Sequence, residues 1–507
     1  MSNKRVIWWI KRDIRLHDNE ALEAALEYSL TVVPVYVIEP DLVSANDYSA
    51  MHYFAQMTAL KELKLRLQQL GGDVLILRGE VVAEFRKLFD VCPFHRIVSH
   101  QETGNGLTFC RDLAVKSFCE EHQIEWFEYH QNGVIRGLPN REKRQPVIRQ
   151  RIFRAPIKPP SHIKTPTNLV SQLNQSWPAF SRYFSSRDLK NIQFDQLQVI
   201  NETSAHQCLH SFLESRAQGY SGGISSPNKA FHHGSRLSAH LAWGTVSLSY
   251  VFWKADDRIN VLKQSDIKGK QQWMRSLKAF KSRLHWHCHF IQRLETTPQM
   301  EFQPLNAAYD VIQYENSPQL YDAWKLGLTG FPLVDACMRC LSAIGFLNFR
   351  MRAFIVSFAV FGLHLDWRKI HPHLAQVFYD YEPGIHLSQL QMQAGVVGIN
   401  ALRVYNPTKQ LIEQDPDCEF VKRWVPELRS EDIVDIYSYE SIPLANYSHP
   451  IVDFKTRAAQ MKEQLSAVRK SMKGRLENSK VFEKHGSRKK HKKTRKTTEV
   501  NPQTSLF

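Results

Sequence analysis

The chain has 507 residues, more than one hydrophobic core usually organises, so we expect two or three domains. Its content of 43% hydrophobic and 11% aromatic residues is that of a globular protein and excludes a largely disordered chain. The net charge of +16 indicates a polyanionic partner, and the eight scattered cysteines indicate reduced thiols rather than a disulfide framework.

The first residues, MSNKRVIWWIKRD, place charges on both sides of a short apolar run. That run is too short for the apolar core of a signal peptide and far too short to span a bilayer. We therefore expect a cytoplasmic protein that does not contact a membrane. We also expect a monomer.

The first part of the chain alternates short apolar runs with amphipathic helical patterns such as YFAQMTALKELKLRLQQL. The runs predicted to be buried strands are 6–10, 31–38, 73–77 and 96–100. Strands that alternate with helices favour a parallel sheet, so residues 1–135 are predicted to form a Rossmann-like α/β domain. A connection rich in proline and polar residues follows at 136–204.

From residue 205 onward, apolar residues recur at helical spacing. Stretches such as SRLSAHLAWGTVSLSYVFWKA and RMRAFIVSFAVFGLHL predict an all-α domain at 205–430. A polar helical extension is predicted at 431–480. The last segment, 481–507, is rich in charge and poor in apolar residues, which predicts a basic, disordered tail.

The stretch WWIKRDIRLHDNEALEAAL, at 8–26, continues the first predicted strand with basic residues and then begins a helix at Asp18 or Asn19. A strand-to-helix turn with an N-cap is common in proteins of many kinds. The stretch also resembles the opening of the photolyase and cryptochrome family, in which an aromatic residue precedes Arg-Asp-(Leu/Ile)-Arg and then Asp-Asn.

Further blocks in the helical part follow the order of that family. They are GSRLSAHLAWG (234–244), AWKLGLTGFPLVDACMRCL (323–341), RMRAFIVSF with LDWRK and YDYEPG (350–384), and RVYNPTKQ (403–410). Their common order makes the resemblance specific, and it spans most of the chain except the tail. The resemblance implies an α/β antenna domain, a helical FAD-binding domain, and either light-driven repair of pyrimidine dimers or blue-light reception. Details resemble a divergent bacterial photolyase-like subgroup.

The resemblance implies two groups of FAD contacts. The residues implied for the diphosphate and ribityl chain are Tyr220, Ser235, Arg236, Leu237 and Ser238. The residues implied for the flavin ring or the adenine are Arg352, Asp380 and Glu382. Taken without the resemblance, the arginine would be a surface charge of a helix, and the acids would be helix caps or solvated loop residues.

The implied substrate cavity departs from the family pattern. The stretch RLHWHCHFIQRLE, at 283–295, matches a helix that reads Glu-Leu-x-Trp-Arg-Glu-Phe in photolyases. Trp286 falls on the tryptophan that stacks against the dimer, and Arg283 replaces the substrate-binding glutamate. His287 replaces the next arginine, and Met392 replaces a second aromatic residue. A histidine here would donate a proton or a hydrogen bond to a radical anion.

Other departures surround the implied flavin. His386 stands where the family has an asparagine that faces the flavin N5, and it completes the predicted catalytic residues. Gly362 stands where an aspartate pairs with the flavin-side arginine. The family's chain of three tryptophans becomes Leu390, Trp367 and Tyr314, so the usual route of photoreduction is broken at its first step. Trp367 remains, and Tyr314 or Tyr381 is expected to relay an electron by another route.

The histidine cluster raises the alternative of a metal site. On a helix, His285, Cys288 and His289 share a face and His287 points away, so at most three side chains would meet a metal. No carboxylate or second cysteine cluster is near in sequence, so we predict no metal. An iron–sulfur cluster would need several cysteines after the Asn-Pro motif, and only Cys418 follows it, so none is predicted.

The last five residues, QTSLF, fit a short motif with which bacterial repair and replication proteins bind the sliding clamp. Gln503 would form a hydrogen bond, and Leu506 and Phe507 would fill an apolar cleft. A match of five residues also arises by chance. The basic residues at 488–496 would add salt-sensitive attraction to DNA phosphates.

The favoured interpretation is a FAD-dependent, light-driven enzyme that repairs ultraviolet-induced pyrimidine dimers in DNA. The first alternative is a cryptochrome-like photoreceptor whose tail transmits the signal. The second is a light-independent DNA-binding flavoprotein. The lesion type, the strand preference and the identity of a second antenna chromophore are left open by the residues.

Overall fold

The computed structural model describes residues 5–29, 31–138 and 144–486. The N-terminal part is a parallel sheet of five strands in the order β3-β2-β1-β4-β5. The strands are β1 (Val6–Ile10), β2 (Val32–Ile38), β3 (Leu75–Arg78), β4 (Arg96–His100) and β5 (Glu125–Tyr129). The accompanying helices are α1 (Glu20–Tyr28), α2 (Pro40–Val43), α3 (Ala50–Gln69), α4 (Val81–Val91) and α5 (Gly106–Glu121).

The sheet is buried on both faces, as its nearly continuous apolar strands require. In the central strand β1, Val6 lies opposite Val32 of β2 and opposite Arg96 of β4. Alternate side chains supply two cores, with Trp8 on one face of the sheet and Trp9 on the other. This alternation explains why a strand of five buried residues needs helices on both sides.

Four strands were predicted and four are confirmed, two of them with the bounds that the pattern indicated, 6–10 and 96–100. The edge strand β5 was missed because its residues, EWFEY, include two glutamates and are exposed or only partly buried. Helix α1 begins as predicted, with the Asn19 side chain accepting a hydrogen bond from the Leu22 amide at 2.9 Å.

Short helices lie in the connection between the domains: α6 (Arg144–Ile152), α7 (Thr167–Leu173) and α8 (Ser186–Leu189). The chain is then helical, which confirms the predicted fold class of an α/β domain followed by an all-α domain. The first helices of this part are α9 (Glu202–Glu214), α10 (Tyr220–Gly223), α11 (Lys229–His233), α12 (Ser238–Ala242), α13 (Leu248–Gln264), α14 (Lys270–Thr296) and α15 (Pro318–Leu326).

The remaining helices build the core of the helical domain and its C-terminal extension. They are α16 (Pro332–Ile344), α17 (Phe349–Ser357), α18 (Trp367–Val377), α19 (Pro383–Gln393), α20 (Pro407–Gln414), α21 (Glu419–Trp424), α22 (Ile433–Tyr437), α23 (Phe454–Lys470) and α24 (Met472–His485). The long helix α14 lies against α13 and α19, so residues of α14 and α19 face each other. Among the described residues no single helix is long and apolar enough to cross a membrane. The helices Pro332–Ile344 and Phe349–Gly362 are long and apolar enough only when they are taken together, and the chain is bent by 119° between them.

The two domains meet through buried polar contacts. The Glu202 carboxylate accepts hydrogen bonds from the amides of Leu16 and His17, both at 2.8 Å. Gly244 has a φ of +68°, and a Cβ on it would lie 1.8 Å from the Arg12 carbonyl oxygen. Only glycine fits this close approach, so the strand-end residues of the first domain are held against the second.

Candidate cofactor and substrate site

Asp380 and Arg352 form a buried, bidentate ion pair. Both oxygen–nitrogen distances are 2.9 Å, and Arg352 Nε donates to the Leu347 carbonyl at 2.7 Å. Burial acts to raise the pKa of the Asp380 carboxyl, but Arg352 and a hydrogen bond with Ser238 outweigh it and hold that pKa below its ordinary value. The pair therefore presents a fixed negative and a fixed positive group beside Ser238.

The acidic partner of Arg352 is Asp380, and not a residue at position 362, where the resemblance places the family's aspartate. Gly362 lies at the far end of the turn that follows α17, where its carbonyl accepts a hydrogen bond from Arg457 at 2.6 Å. A Cβ on it would lie 2.8 Å from the Phe454 ring, so the position is closely packed and remote from the ion pair.

The segment at 234–238 enters α12 through unusual backbone. Arg236 has a φ of +61°, a left-handed conformation that is rare for arginine and is kept only where surrounding structure holds it. Its guanidinium lies 3.6 Å from the centre of the Phe346 ring, and burial lowers its pKa to about 10. Ser235 and Leu237 flank it, with Leu237 buried, and Ser238 begins α12.

Tyr220 lies deeper than its implied role would require. Its ring packs edge-on against Phe212 and Phe280, and the residue is buried in the second core of the helical domain. Arg283 of α14 is close enough for its charge to act on the Tyr220 hydroxyl. The structure therefore places Tyr220 next to the substrate helix.

Glu382 and His287 line one cavity between the domains, of about 30 Å³. Glu382 Oε2 lies 3.5 Å from Arg12 Nη1, whereas its buried Oε1 has no hydrogen-bond partner among the described residues. Burial raises the pKa of Glu382 to about 7 and lowers that of His287 to about 4. At neutral pH His287 is therefore uncharged, and Glu382 titrates close to neutral pH.

His386 lies on the first turn of α19 in an aromatic group. Its ring centre is 4.9 Å from that of His371 and 5.3 Å from that of Tyr381. Burial lowers the pKa of both histidines, that of His371 to about 4. Within the described ranges, His386 Nε2 and both polar atoms of the Gln389 side chain have no hydrogen-bond partner.

The predicted substrate wall lies on α14. Trp286 is half-buried, with its ring stacked on Phe290 at 5.6 Å and edge-on to His289 at 5.2 Å. Arg283, one helical turn earlier, lies 5.4 Å from the centre of the Phe349 ring, which is 44% exposed. Met392 is half-buried on α19. Trp286, Arg283 and Phe349 thus supply aromatic and cationic surface close to solvent.

The other side chains of the histidine cluster point to different neighbours. The His285 ring lies 5.0 Å from that of Phe252, and Cys288 Sγ accepts a hydrogen bond from the Gly133 amide at 3.3 Å. Over the ranges that the structure covers, no group of three or more His, Cys, Asp or Glu side chains is arranged to hold a metal ion.

Two of the predicted electron-transfer residues, Trp367 and Tyr314, pack into the same core of the helical domain, and Tyr381 lies at the contact of the two domains. Trp367 is buried in the core of the helical domain, where the Arg368 guanidinium lies 5.0 Å from its ring. The Tyr314 hydroxyl is buried and has no hydrogen-bond partner within the described part of the chain. The Tyr381 hydroxyl, in contrast, donates to Asp47 Oδ2 at 2.8 Å.

The chemistry of these side chains fits FAD. Several buried polar atoms in the described ranges have no partner in the protein, among them Arg236 Nη1, His386 Nε2 and Glu382 Oε1. Buried polar groups normally have hydrogen-bond partners, so this concentration marks places where a polar ligand would supply them. A cationic group suits a diphosphate, and imidazole and carboxyl groups suit the heteroatoms of a flavin.

Two family models match the chain: one described as DNA photolyase over 6–146, and one described as the FAD binding domain of DNA photolyase over 280–467. Together with the fold and with the buried polar atoms of Arg236, His386 and Glu382, these matches define a two-domain protein with a photolyase-type FAD-binding domain.

Relatives of both functional kinds span nearly the whole chain. A deoxyribodipyrimidine photo-lyase of Synechococcus sp. is 25% identical and covers 90% of this chain and 95% of its own length. Cryptochrome-1 of Aedes aegypti is 22% identical, with coverages of 92% and 93%. The crystal structure of a class III photolyase from Agrobacterium tumefaciens has a TM-score of 0.79, 24% identity and coverages of 93% and 99%. The chain belongs to the photolyase and cryptochrome family.

Several residues of the site were not predicted. Arg12, which faces Glu382, had a signal because it lies in the opening motif, whereas Asp47 lies in a loop with no pattern around it. Phe349 follows Asn348, whose side chain holds the carbonyls of Ile224 and Ser225 at 3.0 and 2.8 Å. The predicted clamp-binding residues Gln503, Leu506 and Phe507 lie outside the described residues.

Proposed function

We propose that the protein is a FAD-dependent, light-driven photolyase-like enzyme that repairs ultraviolet-induced pyrimidine dimers in DNA. The observation that carries the proposal is the ion pair of Arg352 and Asp380 beside Ser238, in a domain whose helix α14 places the half-buried Trp286 and Arg283 next to the exposed Phe349 of α17. Membership of the photolyase and cryptochrome family supports FAD as the cofactor. The aromatic and cationic side chains of Trp286, Arg283 and Phe349 support damaged DNA as the substrate.

In this proposal, the FAD diphosphate and ribityl chain contact the segment from Ser235 to Ser238, with Tyr220 behind it. Arg352, Asp380, Glu382 and His386 contact the flavin ring or the adenine. When bound, FAD supplies light-driven one-electron chemistry. The protein holds the charges around it: Arg352 and Asp380 are paired, and His386 is neutral because burial lowers its pKa.

The substrate in this proposal is a dimer flipped out of the DNA stack. Trp286 stacks on its bases, since aromatic platforms bind bases through their faces. Arg283 compensates negative charge on the dimer, in place of the usual glutamate. His287 is neutral near pH 7, so its role is that of a hydrogen-bond donor and not of a charge.

Two features support proposed partners. The net charge of +16 favours DNA, whose phosphates attract cationic surfaces. The terminal QTSLF supports binding to a bacterial sliding clamp through Gln503, Leu506 and Phe507.

The proposed site of a second chromophore lies at the carboxyl edge of the sheet. A cavity of about 70 Å³ lies there, lined by residues that include Lys11, Glu39, Glu102 and Arg111. Ligands of parallel sheets bind at this edge, near the point where the strand order reverses.

The test is repair of DNA containing cyclobutane dimers by the anaerobically reduced holoprotein, in blue light and in the dark. Light-dependent loss of dimers is the expected result. A sample with full flavin content that repairs neither cyclobutane dimers nor 6-4 products would contradict the proposal.

Arg283 in place of the substrate-binding glutamate favours a second candidate, a cryptochrome-like photoreceptor. That function predicts light-dependent release of the tail, seen as faster proteolysis after illumination, without lesion turnover. Equal DNA binding in light and dark, with no preference for lesions, would instead favour a light-independent DNA-binding flavoprotein.

A further inference from the structure

Tyr381 lies between two proposed FAD contacts, Asp380 and Glu382, and is buried at the contact of the two domains. Its hydroxyl donates a hydrogen bond of 2.8 Å to Oδ2 of Asp47, a residue of the first domain. The same oxygen accepts a hydrogen bond from the Asn105 side chain at 2.9 Å. Asp47 is itself 8% exposed, so a buried phenol and a buried carboxylate face each other.

Three imidazole rings lie beside Tyr381, and Arg12 donates a hydrogen bond to the Tyr381 carbonyl at 3.3 Å. The His52 ring is stacked on Tyr381 at 6.0 Å, and the rings of His386 and His371 lie at 5.3 and 6.5 Å. Burial lowers the pKa of each of these histidines, those of His52 and His371 to about 4. Burial also raises the pKa of Tyr381, so the phenol keeps its proton at rest.

A phenol that loses an electron becomes a strong acid, so its oxidation is easiest when a base accepts the proton at the same moment. Asp47 is positioned as such a base, within hydrogen-bond distance of the proton that it would accept. Tyr314 lacks this arrangement, because its hydroxyl has no partner among the described residues. Leu390, at the first position of the family's tryptophan chain, offers no electron at all.

We propose that Tyr381 and Asp47 form a proton-coupled electron donor for the photoreduction of the bound flavin. This inference rests on the proposed FAD site. One electron leaves Tyr381 for the light-excited cofactor, the phenolic O–H bond breaks, and its proton passes to the Asp47 carboxylate. The products are a neutral tyrosyl radical, a protonated Asp47 and a one-electron-reduced cofactor. An external thiolate then gives one electron to the tyrosyl radical and becomes a thiyl radical, while the proton on Asp47 returns to the phenolic oxygen, which restores both Tyr381 and the Asp47 carboxylate.

The test compares Tyr381→Phe and Asp47→Asn with wild type and with the matched control Tyr314→Phe. Oxidised holoprotein is illuminated anaerobically with dithiothreitol, and flavin reduction is followed by absorbance. Loss of a positioned proton acceptor costs about 100-fold in rate, so Asp47→Asn should slow photoreduction about 100-fold. Tyr381→Phe removes the electron donor itself and should slow photoreduction at least as much. Tyr314→Phe should match wild type.

A second readout is the electron paramagnetic resonance spectrum of illuminated, freeze-trapped samples. A neutral tyrosyl signal is expected in wild type and in Tyr314→Phe, and it should be absent in Tyr381→Phe. Equal photoreduction of Tyr381→Phe and wild type would overturn the proposal. A normal rate in Asp47→Asn alone would overturn the role of Asp47. Flavin content and reduction by dithionite identify any variant that fails to fold.

These outcomes are separate from those of the repair assay. Dithionite-reduced Tyr381→Phe should repair lesions like wild type, because no photoreduction is then needed. Photoreduction without repair would contradict the proposed function and support this inference. If dithionite-reduced protein repairs lesions but light cannot reduce the flavin, the proposed function is supported and this inference is contradicted.

Discussion

Replacing Arg352 by alanine leaves the Asp380 carboxylate buried without its bidentate partner. The Asp380 side chain is 7% exposed and that of Arg352 is 25% exposed. Removing one member of a buried ion pair costs about 3–5 kcal/mol. Because Arg352 reaches partly into solvent, we expect the free energy of unfolding to fall by about 3 kcal/mol. This loss lowers the melting temperature of a domain of this size by roughly 6–12 °C.

The effect should depend on pH with a definite sign. In wild type the pKa of Asp380 is lowered on folding, so the stabilisation by the pair is present above the unfolded pKa of about 3.9. It is lost as the pH falls through the folded pKa. In Arg352→Ala, burial remains and raises the pKa of Asp380. The difference between variant and wild type is therefore largest near neutral pH and shrinks in acid.

The assay is thermal unfolding of the FAD-free protein, followed by circular dichroism near neutral pH and in mild acid at one scan rate. Arg86→Ala is the matched control, since Arg86 pairs with Glu121 on the surface, with side chains 46% and 59% exposed. Its melting temperature should match wild type. If Arg352→Ala also shifts the melting temperature by less than about 2 °C near neutral pH, the energetic role of the pair is refuted.

Three further predictions concern the substrate wall, Glu382 and the C-terminal motif. Trp286→Ala should abolish the preference for dimer-containing DNA in a binding assay while FAD stays bound. The control Trp253→Ala, at an exposed tryptophan of α13, should keep that preference. If Trp286→Ala also keeps it, the substrate cavity lies elsewhere. Glu382 has a pKa raised to about 7, so its contribution to stability is lost as the pH rises through that value. Glu382→Gln should therefore have a higher melting temperature than wild type in mild alkali but not in mild acid. The same difference in melting temperature at both pH values would contradict this prediction. Joint replacement of Leu506 and Phe507 by alanine should abolish clamp binding measured by surface plasmon resonance, with Thr504→Ala as control; unchanged binding would exclude the motif.

The sequence permitted a close prediction of the first strands, the N-cap at Asn19 and the change from an α/β to a helical domain. These depend on local patterns: apolar runs, a capping side chain and the helical spacing of apolar residues. Strand β5 was not predicted, because an edge strand that is only partly buried lacks the run of apolar residues by which the other strands were recognised. The pairing of Arg352 with Asp380 was not predicted, because an alignment compares positions and not distances.

The sequence by itself determined the family, through blocks of residues in a common order, and it indicated which residues of those blocks would serve the cofactor. Only the tertiary structure decided their partners and their charge states. Glu382 faces Arg12 of the other domain, and Tyr381 faces Asp47, which is 334 residues away in the chain. Hydrogen bonds and desolvation act over a few ångströms in space, so contacts between distant segments leave no periodic trace in the chain and appear only when the domains are folded together.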